Sequence, residues 1–212
     1  FTARTHPQAV AAADFDRNGR LDLAVPNGGS DNVSVFLNVN TLGQSEVVIS
    51  PAGANPVNVA VGDLNGDGLL DVVVANQSGS GNTISSRLQT APGVFSAGAS
   101  TFFAGQNASG LAIADLNQDW RPDLVVTNAL FPNGTVSVYP GNGLGAFLAG
   151  PSYATGATPL VVAVGDLNRD GILDLAVAST NSNAVSVLLG NGDGTFQAKT
   201  DFPTGAGSLP VS

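Results

Sequence analysis

The stretch GDLNGDGLLDVVVAN, residues 62–76, joins a dense group of polar side chains to a continuous apolar run. Related stretches are ADFDRNGRLDLAVPN at 13–27, ADLNQDWRPDLVVTN at 114–128 and GDLNRDGILDLAVAS at 165–179. Their first aspartates are separated by 49, 52 and 51 residues and are Asp14, Asp63, Asp115 and Asp166. Self-similarity at a period near fifty residues predicts a β-propeller or a related array of repeated sheets.

Each repeat contains the elements of four short strands. A small apolar strand precedes the first aspartate (VAAAD, VAVGD, LAIAD and VAVGD), and an apolar LDLAV-like strand follows the acidic loop. A third, alternating strand comes next (VSVFL, TISSRL, VSVYP and VSVLL), and in the later repeats a glycine-rich turn ending in phenylalanine precedes a fourth. Strands that are apolar throughout are buried on both faces, which a single exposed sheet cannot provide.

The predicted fold class is therefore all-β, a β-propeller of four-stranded antiparallel blades with four blades in this chain. A β-sandwich or a linear β-solenoid is the alternative. We expect one propeller segment over residues 1–212, with repeat units at approximately 1–49, 50–101, 102–152 and 153–201. Residues 202–212 resemble the start of a fifth unit, since Phe202 matches Phe102 and Tyr153 in register.

The acidic loops predict metal sites. Counted from the first aspartate, positions 1, 3, 5 and 9 have oxygen-bearing side chains, and position 7 can add its main-chain carbonyl. Five such ligands and water suit Ca²⁺, so we expect about four calcium ions, one per repeat. The predicted ligands in order of position are Asp14, Asp16, Asn18, Arg20 and Asp22; Asp63, Asn65, Asp67, Leu69 and Asp71; Asp115, Asn117, Asp119, Arg121 and Asp123; and Asp166, Asn168, Asp170, Ile172 and Asp174.

The charge distribution supports the same interpretation. The chain has a formal net charge of −9, and 12 of its 16 acidic residues lie in the four loops. Three clustered carboxylates repel one another by about 1–4 kcal/mol per pair, and a bound divalent cation reverses the sign of that energy. This charge argues against nucleic acid and anionic membranes as partners. No apolar run has the length that membrane insertion requires.

The loops differ from EF-hands in a named position. An EF-hand has a bidentate glutamate at position 12, where this chain has a valine inside a strand in all four repeats, namely Val25, Val74, Val126 and Val177. The third loop differs from its neighbours, because Trp120 replaces the glycine of position 6 and Pro122 occupies position 8. If position 6 needs a positive φ, tryptophan is strained there. We expect this third site to be occupied with weaker affinity.

The spacing D-x-[DN]-x-[DN]-G-x-x-D, preceded by VAVGD and followed by an apolar strand, resembles the FG-GAP or VCBS-type repeat of calcium-bearing β-propellers such as the integrin α-subunit head. The resemblance covers nearly the whole chain. It implies that each repeat is a blade and that the calcium loop joins the two inner strands. It also implies a ring of seven or eight blades, so we expect further blades or a homodimer to complete the ring.

The sequence contains no pattern typical of an active site. The single histidine, His6, aligns with Asn55, Asn107 and Thr158 and is expected to be a surface turn residue. We therefore expect a non-enzymatic calcium-binding module, extracellular or secreted at a cell surface or in a periplasm, for adhesion, ligand binding or structure. Its partners would be calcium and a protein or glycan. The alternative is a lectin or the scaffold domain of a secreted, polysaccharide lyase-like carbohydrate-active enzyme, with Trp120, Tyr139 and Tyr153 as sugar-contacting candidates.

Overall fold

The computed structural model describes residues 5–38, 45–49, 53–78, 81–96 and 100–205. These residues form β-strands and one short 3₁₀ helix, Thr180–Ser182. The first two sheets contain β1 (Ala11–Ala13), β2 (Asp22–Asn27), β3 (Asn32–Leu37) and β4 (Ser45–Ile49), then β5 (Pro56–Gly62), β6 (Asp71–Ser78), β7 (Gly81–Arg87) and β10 (Ser100–Phe103). The last two contain β11 (Ala108–Ala114), β12 (Asp123–Asn128), β13 (Thr135–Tyr139) and β14 (Ser152–Ala154), then β15 (Pro159–Gly165), β16 (Asp174–Ser179), β17 (Ala184–Leu188) and β18 (Thr200–Pro203).

All four sheets have the same topology. Each contains four strands, every pair is antiparallel, and the spatial order follows the chain order. In the second sheet a small hairpin of β8 (Gln89–Ala91) and β9 (Val94–Phe95) separates the third strand from the fourth. The predicted all-β fold of four-stranded antiparallel blades is thus confirmed.

The blades are offset from the sequence repeats. Phe102, Tyr153 and Phe202, which open repeat units in the sequence, lie in the fourth strands β10, β14 and β18 of the preceding blades. Phe202 pairs with Val185 inside the fourth sheet and so completes that blade instead of beginning another. The other residues at this repeat position, Phe1 and Ser50, lie outside the described residues, as do 206–212 of the predicted fifth unit.

The second strand of each blade contributes strongly to the core. In β12 every residue is buried, and the same holds for the first six residues of β6, as their continuous apolar sequences predict. The chain divides into two compact units, residues 1–104 with 143–146, and residues 105–142 with 147–212. In the first unit, Val35 and Val72 from the first two blades share one core. In the second, Val125 and Val177 share another.

The described residues include no helix that is long and apolar enough to cross a membrane.

Candidate metal centres

The four acidic loops occupy the same place in their blades. Each loop connects the first strand to the second, and its ninth residue is the first residue of the second strand. That aspartate pairs with the last residue of the first strand, as Ala13 pairs with Asp22 and Gly165 with Asp174. The first and second strands therefore hold both ends of every loop.

The aspartate at position 1 organises the loop through backbone hydrogen bonds. In the second loop, Oδ1 of Asp63 accepts the N–H of Asp67 at 3.2 Å, and Oδ2 accepts the N–H of Gly68 at 2.7 Å. Asp14, Asp115 and Asp166 accept the N–H groups of positions 5 and 6 in the same way. This side chain is thereby oriented by its own loop before any ligand is considered.

Positions 3 and 5 follow the same rule. Oδ1 of Asn65 accepts the N–H of Asp67 at 3.1 Å, and Oδ1 of Asp67 accepts the N–H of Leu69 at 2.7 Å. The other three loops repeat both bonds. The predicted side-chain ligands at positions 1, 3 and 5 thus lie together on one turn of backbone. That the carbonyl of position 7 is a ligand stays a prediction.

The aspartate at position 9 is buried, and each of its carboxylate oxygens accepts one backbone hydrogen bond. Asp71 is 0% exposed, and its Oδ2 accepts the N–H of Leu64 at 2.9 Å. Burial raises the pKa of Asp71 to about 6, the two backbone hydrogen bonds lower it, and the charges of Asp67 and Asp63 raise it. Burial likewise raises the pKa of Asp123. Each oxygen keeps a lone pair beyond the one it uses, so a role as a metal ligand is compatible with these bonds.

The donor set fits a hard divalent cation. In the first loop, carboxylate oxygens of Asp14, Asp16 and Asp22 all lie within 4.8 Å of one another. Among the described residues this is the one group of three acidic side chains so close together. The first loop is also distinct in composition, because it has aspartate at position 3 and asparagine at position 5, whereas the other loops have asparagine at position 3 and aspartate at position 5. Carboxylate and amide oxygens in such a loop are the ligands that calcium prefers.

The loop backbone adopts left-handed conformations at two positions. Position 4 has a positive φ in every loop, and position 6 has φ values of 82°, 81°, 66° and 84° at Gly19, Gly68, Trp120 and Gly171. Trp120 is therefore in the conformation that favours glycine. Its N–H still donates to Asp115 at 2.9 Å, so the third loop keeps the common geometry, while its side chain is 93% exposed.

Sequence reasoning missed the contacts that the glycine-rich turns make with the loops. Gly93 donates its N–H to the carbonyl of Phe15 at 3.0 Å, and Gly194 donates to that of Leu116 at 3.2 Å. In both cases the turn of one blade is bonded to position 2 of the preceding blade's loop. The recurrence of the Gly–Phe turns in the sequence suggests a shared role, but the loop residue that each turn contacts is visible only in the structure.

Asn38, the residue after β3, was also missed. It adjoins the first loop, where its amide contacts Asp16 and Asn18. His6 behaves as expected of a turn residue. It is exposed, has a φ of 55°, and accepts the N–H of Gly28 through its carbonyl at 2.9 Å.

These features define a class of protein, a repeat β-propeller with an aspartate-rich loop between the first two strands of each blade. The family model described as FG-GAP-like repeat matches residues 14–74, 63–126 and 115–177. The chain belongs to the FG-GAP-like repeat family. A comparison with curated protein sequences gave no significant match.

Solved structures resemble the chain in fold. BBS1N, in the crystal structure of its complex with ARL6DN soaked with lead, has a TM-score of 0.61 at 13% identity, covering 95% of this chain and 58% of that one. This chain thus spans little more than half the length of BBS1N, and at that identity the likeness concerns the fold alone.

Two further matches have lower TM-scores. The Photorhabdus luminescens Tc holotoxin pore gives 0.36 at 14% identity, covering 94% of this chain and 12% of that one. The PQQ-bound aldose sugar dehydrogenase of Streptomyces coelicolor gives 0.37 at 16%, covering 95% and 82%. These scores are too low to support a conclusion about this chain.

Proposed function

We propose that the chain is a calcium-binding, non-enzymatic β-propeller module that serves adhesion, ligand binding or structure outside the cell. The observation that supports this most strongly is the fourfold recurrence of one loop geometry, in which the oxygen-bearing side chains of positions 1, 3 and 5 are oriented by backbone N–H groups. Asn and Asp side chains commonly bond nearby backbone N–H groups in turns, so the support comes from the recurrence of the same donor set in register in all four blades.

A bound cation would act mainly on stability. Without it, the three carboxylates of each loop repel one another at the junction of two strands, most strongly in the first loop, where Asp14, Asp16 and Asp22 lie within 4.8 Å of one another. The side chains of positions 1, 3, 5 and 9 would hold the ion, which supplies positive charge at that junction. Because the ligands come from one loop and from the start of the second strand, binding favours the folded hairpin over the unfolded chain.

The proposed calcium sites are suited to an extracellular location. The chain has no cysteine, so disulfides cannot stabilise it. Metal sites of modest affinity are filled where calcium is plentiful, as it is outside cells. A protein or a glycan is the partner that we expect for such a module.

One observation favours the alternative function, a lectin or the scaffold of a carbohydrate-active enzyme. Trp120 is 93% exposed beside the third loop, and an exposed indole is suited to stacking on a sugar ring. Of the other candidates, Tyr153 is used in packing, since its hydroxyl accepts the N–H of Phe196 at 3.0 Å and its ring packs edge-on against the Phe196 ring. A glycan array probed with the calcium-loaded protein distinguishes a lectin from a module without sugar binding.

The calcium proposal is tested by thermal unfolding in calcium, in magnesium and in chelator. We expect a clearly higher midpoint in calcium than in chelator, a smaller effect of magnesium, and a calorimetric stoichiometry near the number of loops. An unchanged midpoint together with no heat of binding would overturn the proposal. A fourfold variant with alanine at position 5 of every loop serves as the control, because it should lose the response to calcium.

A further inference from the structure

We propose that the fourth blade binds the first blade of a second copy of this chain, through a surface that is buried in the other blades. The side of a blade that meets the next blade along the chain is called its trailing face, and the side that meets the preceding blade its leading face. The proposal goes beyond calcium binding, because it concerns an interaction surface and its partner.

The interfaces inside each unit show what covers a trailing face. In the second unit, Val136 and Val138 on the trailing face of the third blade share a core with Leu175 and Val177 on the leading face of the fourth. All four side chains are 0% exposed. The first unit repeats this arrangement, with Val33 and Val35 of the first blade in one core with Val72 and Val74 of the second.

The glycine-rich turn of the following blade covers the rest of the trailing face. Gly194 donates its N–H to the carbonyl of Leu116 at 3.2 Å, and Phe196 of the same turn lies in one core with Leu116. The Phe196 ring also packs edge-on against Tyr153, on the fourth strand of the third blade, with ring centroids 5.7 Å apart. The first unit has corresponding turn contacts between Phe15 and both Gly93 and Phe95.

The trailing face of the fourth blade is exposed at the same positions. Leu167, at position 2 of the fourth loop, is 52% exposed, whereas position 2 of the other three loops is at most 3% exposed. Phe202, on the fourth strand, is 53% exposed. Val185 and Val187 are half-buried, while their equivalents in the first and third blades are 0% exposed. These four side chains form an apolar surface where a following blade covers the other trailing faces.

The first blade has the complementary surface. Leu23 and Val25 occupy the leading-face positions of its second strand and are half-buried. The equivalent residues of the other three blades are at most 2% exposed, namely Val72, Val74, Leu124, Val126, Leu175 and Val177. The first blade therefore offers the surface that covers a trailing face inside each unit.

A second copy satisfies both surfaces at once. The fourth blade of one copy receives the first blade of the other, with the same strand positions and the same apolar residue types as in the internal interfaces. Removing these side chains from water favours the association. Because two different faces of identical chains meet, the contact is heterologous and not a self-complementary patch.

The test is sedimentation velocity of the whole chain in calcium over a range of micromolar concentrations. Phe202→Glu places a charge on the fourth-blade surface, and Leu23→Glu places one on the first-blade surface. Phe103→Glu is the matched control, because Phe103 is 62% exposed on the fourth strand of the second blade. It follows Phe102, the equivalent of Phe202, and so points to the opposite side of its sheet.

We expect the wild type and Phe103→Glu to sediment with twice the mass of one chain. Phe202→Glu and Leu23→Glu should each weaken the association by roughly thirtyfold, as loss of a central interface residue does. An equimolar mixture of these two variants should recover the dimer, because one unaltered fourth blade then still meets an unaltered first blade. Leu23→Gln replaces Leu23→Glu if circular dichroism shows that the charged variant does not fold.

Two results would overturn the proposal. A wild type that stays monomeric at every concentration would point to a blade of another protein as the partner of this surface. A dimer that both face variants leave intact, or a mixture no more dimeric than either variant alone, would show that the first and fourth blades do not meet.

Discussion

The Oδ1 atom of Asp71 accepts a hydrogen bond of 2.8 Å from the backbone N–H of Gln89, which follows the third strand of the same blade. The other oxygen of this carboxylate accepts the N–H of Leu64 at the start of the acidic loop. One buried side chain therefore connects the loop, the second strand and the end of the third strand. The same pair of bonds recurs at Asp22, Asp123 and Asp174, so position 9 has a structural role that does not depend on metal.

This relationship predicts that Asp71→Ala destabilises the protein even in chelator. The substitution leaves two buried N–H groups without their acceptor, and each such loss costs about 1–3 kcal/mol. Asp67→Ala should instead lower stability only in calcium, because Asp67 is exposed and belongs to the part of the loop that we propose binds calcium. Thermal melts of both variants with and without calcium test the distinction. Equal behaviour of the two variants in chelator would contradict it.

The raised pKa of Asp71 predicts a pH dependence of the metal-free protein. A carboxyl whose pKa is about 6 in the folded state, against 3.8 ordinarily, binds its proton more tightly when folded. Its contribution to the free energy of unfolding is therefore greatest below pH 3.8 and is lost as the pH rises through about 6. Calcium should oppose this trend, because a cation favours the ionised carboxylate.

Carboxyl-carbon NMR of the chelated protein measures this pKa directly. Asp71→Asn is the control, since it should lose the resonance that titrates near 6 and flatten the pH dependence of the melting midpoint over the same range. A resonance for Asp71 that titrates near its ordinary value would contradict the prediction.

The blades could be predicted from the sequence because the repeat is visible both in the spacing of the acidic loops and in the apolar runs that follow them. The register of the first aspartates gives the period, and apolar runs such as residues 72–75 identify a strand buried on both faces. The grouping of the predicted ligand side chains could be foreseen for a similar reason, since alternation within one short loop brings positions 1, 3 and 5 together regardless of tertiary structure; that they bind metal stays a prediction. These are local properties, and local patterns reveal them.

The features that sequence reasoning missed depend on pairing across strands. Asn38 adjoins the first loop because β3 ends beside it, a fact set by register and not by any motif. The blade boundaries were displaced for the same reason, since Phe202 pairs with Val185 although it resembles the opening residue of a repeat. Asp71 was predicted as a ligand, but its hydrogen bond with Gln89 could not be predicted, because the two residues are 18 positions apart and no local sequence pattern connects them.

The glycines that follow the third strands predict a contrast within one blade. Gly190→Ala would place a Cβ 2.2 Å from the carbonyl oxygen of Leu173, so we expect a loss of about 1–3 kcal/mol in the free energy of unfolding. Gly165→Ala is the matched control, because a Cβ there meets no atom within 4 Å and the equivalent residues Ala13 and Ala114 are already alanine. Urea unfolding followed by circular dichroism measures both. A Gly190→Ala protein as stable as Gly165→Ala would show that this turn adjusts freely.

Trp120 should be replaceable by glycine with a gain in stability. A non-glycine residue held at a φ of 66° is strained by about 1–3 kcal/mol, and the three equivalent loops have glycine at this position. Trp120→Gly should therefore raise the free energy of unfolding by about 1 kcal/mol or more and strengthen calcium binding at the third loop, since less strain opposes the loop geometry that the ligands require. Trp120→Ala is the control that removes the indole but retains a Cβ, so it should not show this gain. If the two variants are equally stable, backbone strain at position 6 does not limit the third site, and the exposed indole itself would have to account for any difference from the other loops.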